Sequence, residues 1–564
     1  MRKDELRDAF DGIDESIVEK FIREDERIIK HKKESRRKRT LAIIRRTVAA
    51  CLCLCIAAGS GFIIRNSLLP SETAPHESTS SPDSAPTSSG ADNKEGLFDM
   101  SLFSEKYSGR SVNILCWDSE HQEFEATANE VIGSNDINEA IFERNKKVSE
   151  ALGIKLAFNV QDDDSGKKAT ILAYVERCES SGEPLDVIAL YSRTSALLAQ
   201  KGHLLPLNYY HDYINLSNPW YPESIKKDTD IGGNTYYVTG DISTNTLYFM
   251  VGFIFNKDLI DKNNDIGYTS DSLYTLVKEQ KWTLEEMYKL VGSYWNDLDA
   301  NGKKTEADGV GLRTYTHHLE SVYFGAGLSM VSINSSPPSA DKLITLSSDY
   351  SGSKAIEIAD ALGKIMTSNS GYNDSSAAVH FSLGNDISMI LRIRDIEKLL
   401  LSESSNLRYG LLPIPKYDTE QKNYITTPGI PFTQWGISSS SRDYDREVIS
   451  AAIIEAMGYF AQSTTSPTVF DTLFPETEIE ENNTQARKND LESFNVMKRT
   501  ISLDVGRMLI FPSNFGLYND WATSAAKRQN WAAVSKSLDP LLSQSLKGPS
   551  KDFYGLSQSF KHTK

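Results

Sequence analysis

The chain of 564 residues is poor in cysteine, in recognisable catalytic motifs and in long apolar runs. Of its 5 cysteines, Cys51, Cys53 and Cys55 crowd into one short stretch, leaving only Cys116 and Cys178 elsewhere. That count excludes a disulfide scaffold and a cysteine-built zinc site. None of the 9 histidines stands in a His-Glu-x-x-His pair, no Gly-x-Ser-x-Gly elbow is present, and no phosphate-binding glycine loop occurs. Carboxylates are abundant enough for a glycosidase pair, but no spacing marks one. Lys and Arg (61) are outnumbered by Asp and Glu (77), and the formal charge of −16 argues against nucleic acid as a partner.

Only Thr47–Ile64 is both free of charge and long enough to cross a bilayer, spanning about 27 Å as a helix. Lys32, Lys33, Arg36, Arg37, Lys38, Arg39, Arg45 and Arg46 precede it against Glu34 alone, and Arg65 follows it. The positive-inside rule then predicts a single-pass anchor in the cell membrane, with a cytoplasmic N-terminus and an extracellular remainder. Two other readings compete: a lipoprotein joined to lipid at Cys51, since Val48-Ala49-Ala50-Cys51 has lipobox character, and a cleaved secretory signal. Arg45 and Arg46 interrupt the apolar region a lipobox needs, and no small-residue cleavage pattern ends the run.

Residues 1–46 carry Leu6, Phe10, Ile13, Ile17, Phe21 and Ile28 at helical spacing. They read as a charged amphipathic cytoplasmic segment, either docking a partner or lying on anionic lipid. Residues 65–107 are assigned as a linker, because Leu68–Gly96 is rich in Ser, Thr and Pro and lacks aromatics. Beyond it, 25 Tyr, 22 Phe and 7 Trp in the whole chain are ample for a large core.

From Ser111 the pattern alternates. Ser111–Trp117 reads as a strand, Asn138–Leu152 as a helix, Ile154–Val160 as a strand, Lys167–Glu179 as a helix, and Leu185–Leu190 as a buried parallel strand. This order predicts an α/β sheet whose ligands meet the carboxyl ends of the strands, at Trp117–Glu120 and Tyr191–Thr194. It also separates Cys116 from Cys178, so both are expected as thiols. Thr283 and Glu286 have capping-box spacing ahead of Leu284, Met287, Leu290, Val291 and Tyr294, which share a face across Trp282–Trp295. Ala355–Met366 and Val448–Phe460 as helices, and Ile387–Leu391 as a strand, extend the pattern into a second α/β lobe.

Five stretches, taken in order, resemble the family 1 extracellular solute-binding proteins, the maltose-binding-protein-like components of ABC importers. Asp186–Leu207 is similar to that family's third strand and following helix, and Gly233–Ile260 to the crossing between lobes, ending in Phe255-Asn256-Lys257. Trp282–Tyr288 resembles the next helix start, Tyr409–Asp418 a return crossing, and Gly436–Tyr459 a late strand-to-helix unit. The resemblance implies a two-lobed, type II periplasmic-binding-protein-like α/β fold over residues 108–564, with a hinge-bounded cleft. It places lobe 1 near 108–238 and lobe 2 near 240–408, each completed by later segments, behind the single transmembrane helix.

By the same resemblance Tyr191 stands at a cleft aromatic position, and His317, Glu320 and Tyr323 lie where the second lobe touches ligand. Trp117, Tyr236, Tyr237 and Trp435 fall at strand ends or crossings that would face such a cleft. Aromatic faces stack on sugar rings while carboxylates and amides take the hydroxyls, so the mixture suits a carbohydrate. For each residue the competing reading is core packing. Arg392 and Arg394, in Leu391-Arg392-Ile393-Arg394-Asp395, stand where a sugar binder would be expected to carry a tryptophan. They are placed either to take a carboxylate or phosphate on the ligand or to pair with Asp395 and Glu397.

Asp297, Asp299 and Asn301 offer oxygens at positions 1, 3 and 5 of a calcium-type loop, with Gly302 at 6, the Lys303 carbonyl at 7, Thr305 at 9 and Asp308 at 12. A structural calcium ion is one reading and a polar Asx-rich turn the other, Asp308 being shorter than the usual closing glutamate. Together these features favour a non-enzymatic receptor that closes over a sugar or oligosaccharide and delivers it to an ABC permease. The rival is a membrane-anchored sensor of the same fold, signalling through residues 1–46. A wall-associated glycosidase ranks third.

Overall fold

In Val187–Tyr191 five consecutive residues are apolar or aromatic and all five are buried, as a strand covered on both faces requires. The computed structural model describes residues 97–118, 125, 136–163, 167–400, 407–441, 443–475, 484–509 and 517–561. The expected anchor at 47–64 and the segment 1–46 lie outside the described residues. Among the described residues no helix is long and apolar enough to cross a membrane.

The strands, numbered along the chain, make two five-stranded sheets. The first contains β1 (Ser111–Asp118), β2 (Lys155–Asp162), β3 (Val187–Tyr191), β4 (Leu204–Leu205) and β14 (Thr433–Ser438), in the order β2-β1-β3-β14-β4. β1 runs parallel to β2 and β3, with Ser111 opposite Lys155, whereas β14 runs antiparallel to β3, with Thr433 opposite Tyr191. The second contains β5 (Val251–Asn256), β8 (Leu312–Thr314), β11 (Gly371–Asn373), β12 (Ser388–Arg392) and β13 (Tyr409–Leu412), in the order β11-β8-β12-β5-β13. Two small ribbons, β6 with β7 (Trp295–Asn296 and Gly309–Val310) and β9 with β10 (Val331–Ile333 and Ile344–Leu346), complete the strands described. Each five-stranded sheet, with its helices, is an α/β lobe.

The helices form where the apolar spacing predicts them, at Asp136–Leu152, Lys168–Ser181, Ser353–Thr367 and Tyr444–Ala461. Thr283 accepts from the Glu286 amide and starts a helix over Leu284–Val291, shorter than the pattern suggested because Trp295–Asn296 leaves it as a strand. Asn256 at the end of β5 caps the next helix by accepting from the Leu259 amide at 2.9 Å. Cys116 and Cys178 are buried free thiols, as expected.

One boundary differs. Met100–Tyr107, assigned by sequence to the linker, is a helix capped by Asp99, which accepts from the Ser101 amide at 2.9 Å. Its Phe103 and Tyr107 are buried, and the Tyr107 hydroxyl donates to Asp445 at 3.0 Å. Two aromatics one turn apart suffice to dock a short segment that the neighbouring Ser/Thr/Pro composition obscured.

The chain passes between the lobes near 239–250, again near 413–432, and again after the helix Thr484–Arg499. The terminal helix Trp531–Lys561 packs on both. Trp531 donates to the Tyr350 carbonyl at 2.8 Å on the second-lobe side. On the first-lobe side Phe553 lies 5.7 Å from the Tyr236 ring, and Asp552 accepts from Gln200 at 2.8 Å.

Candidate functional site: the seam between the lobes

The carboxyl ends of β1 and β3 and the start of β14 lie side by side, because β14 is antiparallel to its neighbour. This register brings Trp117, Tyr191 and Thr433 together. The Trp117 indole donates to the Thr433 hydroxyl at 2.9 Å and its ring lies 5.8 Å from that of Tyr191. β3 turns directly into the helix Ser192–Gln200, whose first amide donates to the Phe432 carbonyl at 2.8 Å. The return crossing is thereby pinned to the strand ends.

The outgoing crossing is held by hydroxyls. The Thr239 and Thr246 hydroxyls lie 2.7 Å apart and 2.9 and 3.2 Å from the Thr433 carbonyl, so that one donates to the other and the second donates to the carbonyl. Ser243 caps the short helix Thr244–Tyr248 and donates to Glu125 at 2.5 Å, while Arg144 donates to the Ile242 carbonyl at 2.9 Å. Burial pushes the Glu125 carboxyl up to about 7, against the opposing pull of the Arg144 guanidinium. This crossing thus has a fully buried polar core.

On the second lobe Arg392 lies over the Phe249 ring, its guanidinium carbon 4.8 Å from the centroid, and donates to Asp395 at 3.3 Å. Arg394 lies 6.0 Å from the same ring, with Glu397 3.9 Å away, and burial lowers its pKa. His317 is half-buried, 4.7 Å from the Tyr315 ring. Glu320 is buried and makes a two-pronged ion pair with Arg507, at 2.5 and 3.4 Å. Desolvation raises the Glu320 pKa, opposed by Arg507.

Four expected cleft residues have a different setting. Tyr236, Tyr237, Tyr323 and Trp435 are completely buried, and Trp117 and Tyr191, at 4% and 2% exposure, are nearly so. Trp435 is held in β14 by paired backbone hydrogen bonds to Val238, both 2.8 Å. Tyr236 packs under the terminal helix, and Tyr323 packs edge-on to Trp521 at 5.2 Å and donates to the Ser329 carbonyl. Large rings beside a crossing fill the space under it, and helices from the C-terminal quarter of the chain cover them. Sequence reasoning covered Arg193 only within the strand-end stretch Tyr191–Thr194 and missed Thr433 and Arg507, which enter the seam through contacts between distant segments. No local pattern announces them.

The acidic loop joins β6 to β7. Carboxylate oxygens of Asp297, Asp299 and Asp308 lie within 4.8 Å of one another. Asp297 accepts from the Asn301 and Gly302 amides at 3.2 and 2.8 Å, and Asn301 accepts from the Lys303 amide at 2.7 Å. Asp308 is buried and accepts from the Thr305 amide, the Leu298 amide and the Trp295 indole. Burial opposes its ionisation, but these donors win and hold its carboxyl below the usual range. Thr305 also reaches Asp299 at 3.4 Å. Lys304 leaves the loop to donate to the carbonyls of Met366, Ser368 and Gly371 at 3.2, 2.6 and 2.9 Å, where the helix Ser353–Thr367 ends. The oxygen-rich donor set is of the type a hard cation takes, with Asp308 already committed to closing the loop.

No protein-family model matches the chain, and no curated protein matches it. Among solved structures, a cyclo/maltodextrin-binding protein complexed with maltotetraose superposes with a TM-score of 0.47 at 12% sequence identity, covering 78% of this chain and 98% of that one.

Proposed function

We propose that the described unit is a solute receptor that closes two α/β lobes over a carbohydrate. The observation carrying this reading is the convergence, where the chain crosses between two five-stranded sheets, of aromatic, hydroxyl and guanidinium groups at the strand ends. Trp117 and Tyr191 supply ring faces from one lobe. Arg392 supplies a charged hydrogen-bonding group from the other, beside the buried Glu320–Arg507 pair, and Thr433 with the hydroxyl-rich crossing supplies the pivot. Aromatic faces stack on the apolar faces of sugars, and charged groups take their hydroxyls. Delivery to an ABC permease, with residues 47–64 as the anchor, completes the proposal. A calcium ion in the loop Asp297–Asp308 is its structural component.

The test is a thermal-shift screen of the full-length protein against mono- and oligosaccharides, amino acids and peptides. A ligand that binds only the folded form adds RT ln(1 + [L]/Kd), about 4 kcal/mol at a thousandfold excess over Kd. The expected result is a saturable shift with one sugar class, lost in Trp117→Ala. A shift only with amino acids or peptides overturns the carbohydrate assignment. No shift with any solute, while residues 1–46 capture a cytoplasmic regulator, replaces import with the sensor reading.

A further inference from the structure

The segment that follows the helix Thr484–Arg499 runs through the seam instead of around it. Asp504 binds it to the second lobe: one carboxylate oxygen accepts from the Met330 amide at 2.7 Å, and the other caps Val505–Met508 by accepting from the Gly506 amide at 2.8 Å. Arg507 adds the two-pronged pair with Glu320 of the second-lobe helix Glu320–Gly325, and its guanidinium carbon lies 5.3 Å from the centre of the Phe324 ring. The same few residues also grip the first lobe. The Arg507 carbonyl accepts from the Arg193 side chain at 3.3 Å, and the Met508 sulfur lies 2.8 Å from the Gln434 amide nitrogen. Arg193 opens the helix that follows β3, and Gln434 belongs to β14, so both contacts are at the strand ends where the candidate site lies.

Both members of the ion pair are nearly inaccessible, with side-chain exposures of 2% for Arg507 and 4% for Glu320. A buried, bidentate pair of this kind resists the loss of either partner far more than a surface pair does, because the survivor is left charged in a dry site. On the first-lobe side the stretch is held through Arg193 and Gln434 and, just before Asp504, through the Asp228 carboxylate, which accepts from the Ser502 hydroxyl at 2.7 Å and the Leu503 amide at 2.9 Å.

We infer that Asp504–Leu509 is an internal latch: anchored on the second lobe by Asp504 and the Arg507–Glu320 pair, it clasps Arg193 and Gln434 of the first and makes the closed seam the resting state of the protein. A solute reaching the strand ends must then displace this clasp, and opening of the latch limits how fast it enters. The inference rests on the lobed architecture and the contacts across it, and it holds whichever solute the seam takes.

Amide hydrogen exchange on the full-length protein, with no solute added, tests it. In the wild type, residues 190–195 and 503–509 are expected to exchange slowly, at rates comparable to the edge of β14. Glu320→Ala removes the anchor and is expected to speed exchange in both segments roughly a hundredfold, as loss of one partner of a buried pair implies. Glu320→Gln, which keeps the shape and some of the hydrogen bonding, should fall between. β5, buried inside the second lobe, is the internal control: its protection unchanged shows a released latch. Acceleration confined to 317–325, with 190–195 still protected, overturns the inference. So does rapid exchange of 190–195 in the wild type. If Glu320→Ala also exposes β5, the decision passes to Gln434→Leu on the first-lobe side, which must speed exchange at 190–195 while leaving 317–325 protected; if it does not, there is no latch.

Discussion

Glu455 sits in the middle of the helix Tyr444–Ala461 with 1% of its surface exposed, and hydrogen-bond donors face it where a cation would be expected. The Asn218 amide donates to one oxygen at 2.5 Å and the Tyr221 hydroxyl to the other at 2.9 Å. Burial dominates and pushes the carboxyl from 4.5 to about 7. Between those two values the folded protein keeps a proton that the unfolded chain has released. Stability is therefore lost as pH rises through this window. At about 1.4 kcal/mol per unit the loss attributable to Glu455 is about 3 kcal/mol at pH 8. Glu455→Gln removes the titration and keeps the volume, at the cost of turning the Tyr221 hydroxyl from donor to acceptor, about 1 kcal/mol. The expected result is a variant close to wild type at pH 5 and about 1–3 kcal/mol more stable at pH 8. For a folded unit of this size that is a rise of roughly 1–3 °C in Tm. Differential scanning fluorimetry of both proteins from pH 4.5 to 8.5 measures it. Taking the difference cancels Asp504 and Glu125, which are also raised, to about 6 and about 7, and give both proteins a falling curve. An equal difference at pH 5 and pH 8, or a variant weaker at pH 8, would refute the reasoning.

Gly311 stands where a Cβ would lie 1.9 Å from the Val291 carbonyl oxygen, so Gly311→Ala must displace the end of the helix Leu284–Val291 from β8. A loss of about 3 kcal/mol or more in urea unfolding is expected, and an unchanged midpoint would show that this close approach does not exist. Calcium at 10 mM should stabilise the protein by about 1.5–3 kcal/mol if the loop has the affinity of an extracellular site, and magnesium should not. Asp299→Ala should abolish the calcium response with little change in stability in its absence, since Asp299 is exposed. Isothermal titration that finds no calcium binding to the wild type would reduce the loop to a turn.

Much of the architecture was legible locally. The buried run at β3, the amphipathic spacing of Ala355–Met366, the Thr283 cap and the placing of Cys116 and Cys178 as separate thiols each depend on neighbours within a turn or two of chain, or on the order of adjacent elements. The loop Asp297–Asp308 was legible for the same reason, its hydrogen bonds being mostly two to five residues apart. The helix Met100–Tyr107 was missed because its two buried aromatics are too few to produce a periodicity, and their partners lie beyond the linker composition that precedes them.

The sequence by itself determined the alternation of strand and helix, and with it which backbone ends meet at the seam, because hydrophobic periodicity and capping are properties of contiguous residues. Only the tertiary structure decided which side chains stay near those ends. Tyr236, Tyr237, Tyr323 and Trp435 became core under segments that return hundreds of residues later or pair across the crossing, while Arg507, 187 positions from Glu320, was brought into the seam. A ring's burial and a charge's partner depend on what distant elements cover it, and short-range pattern contains no record of that.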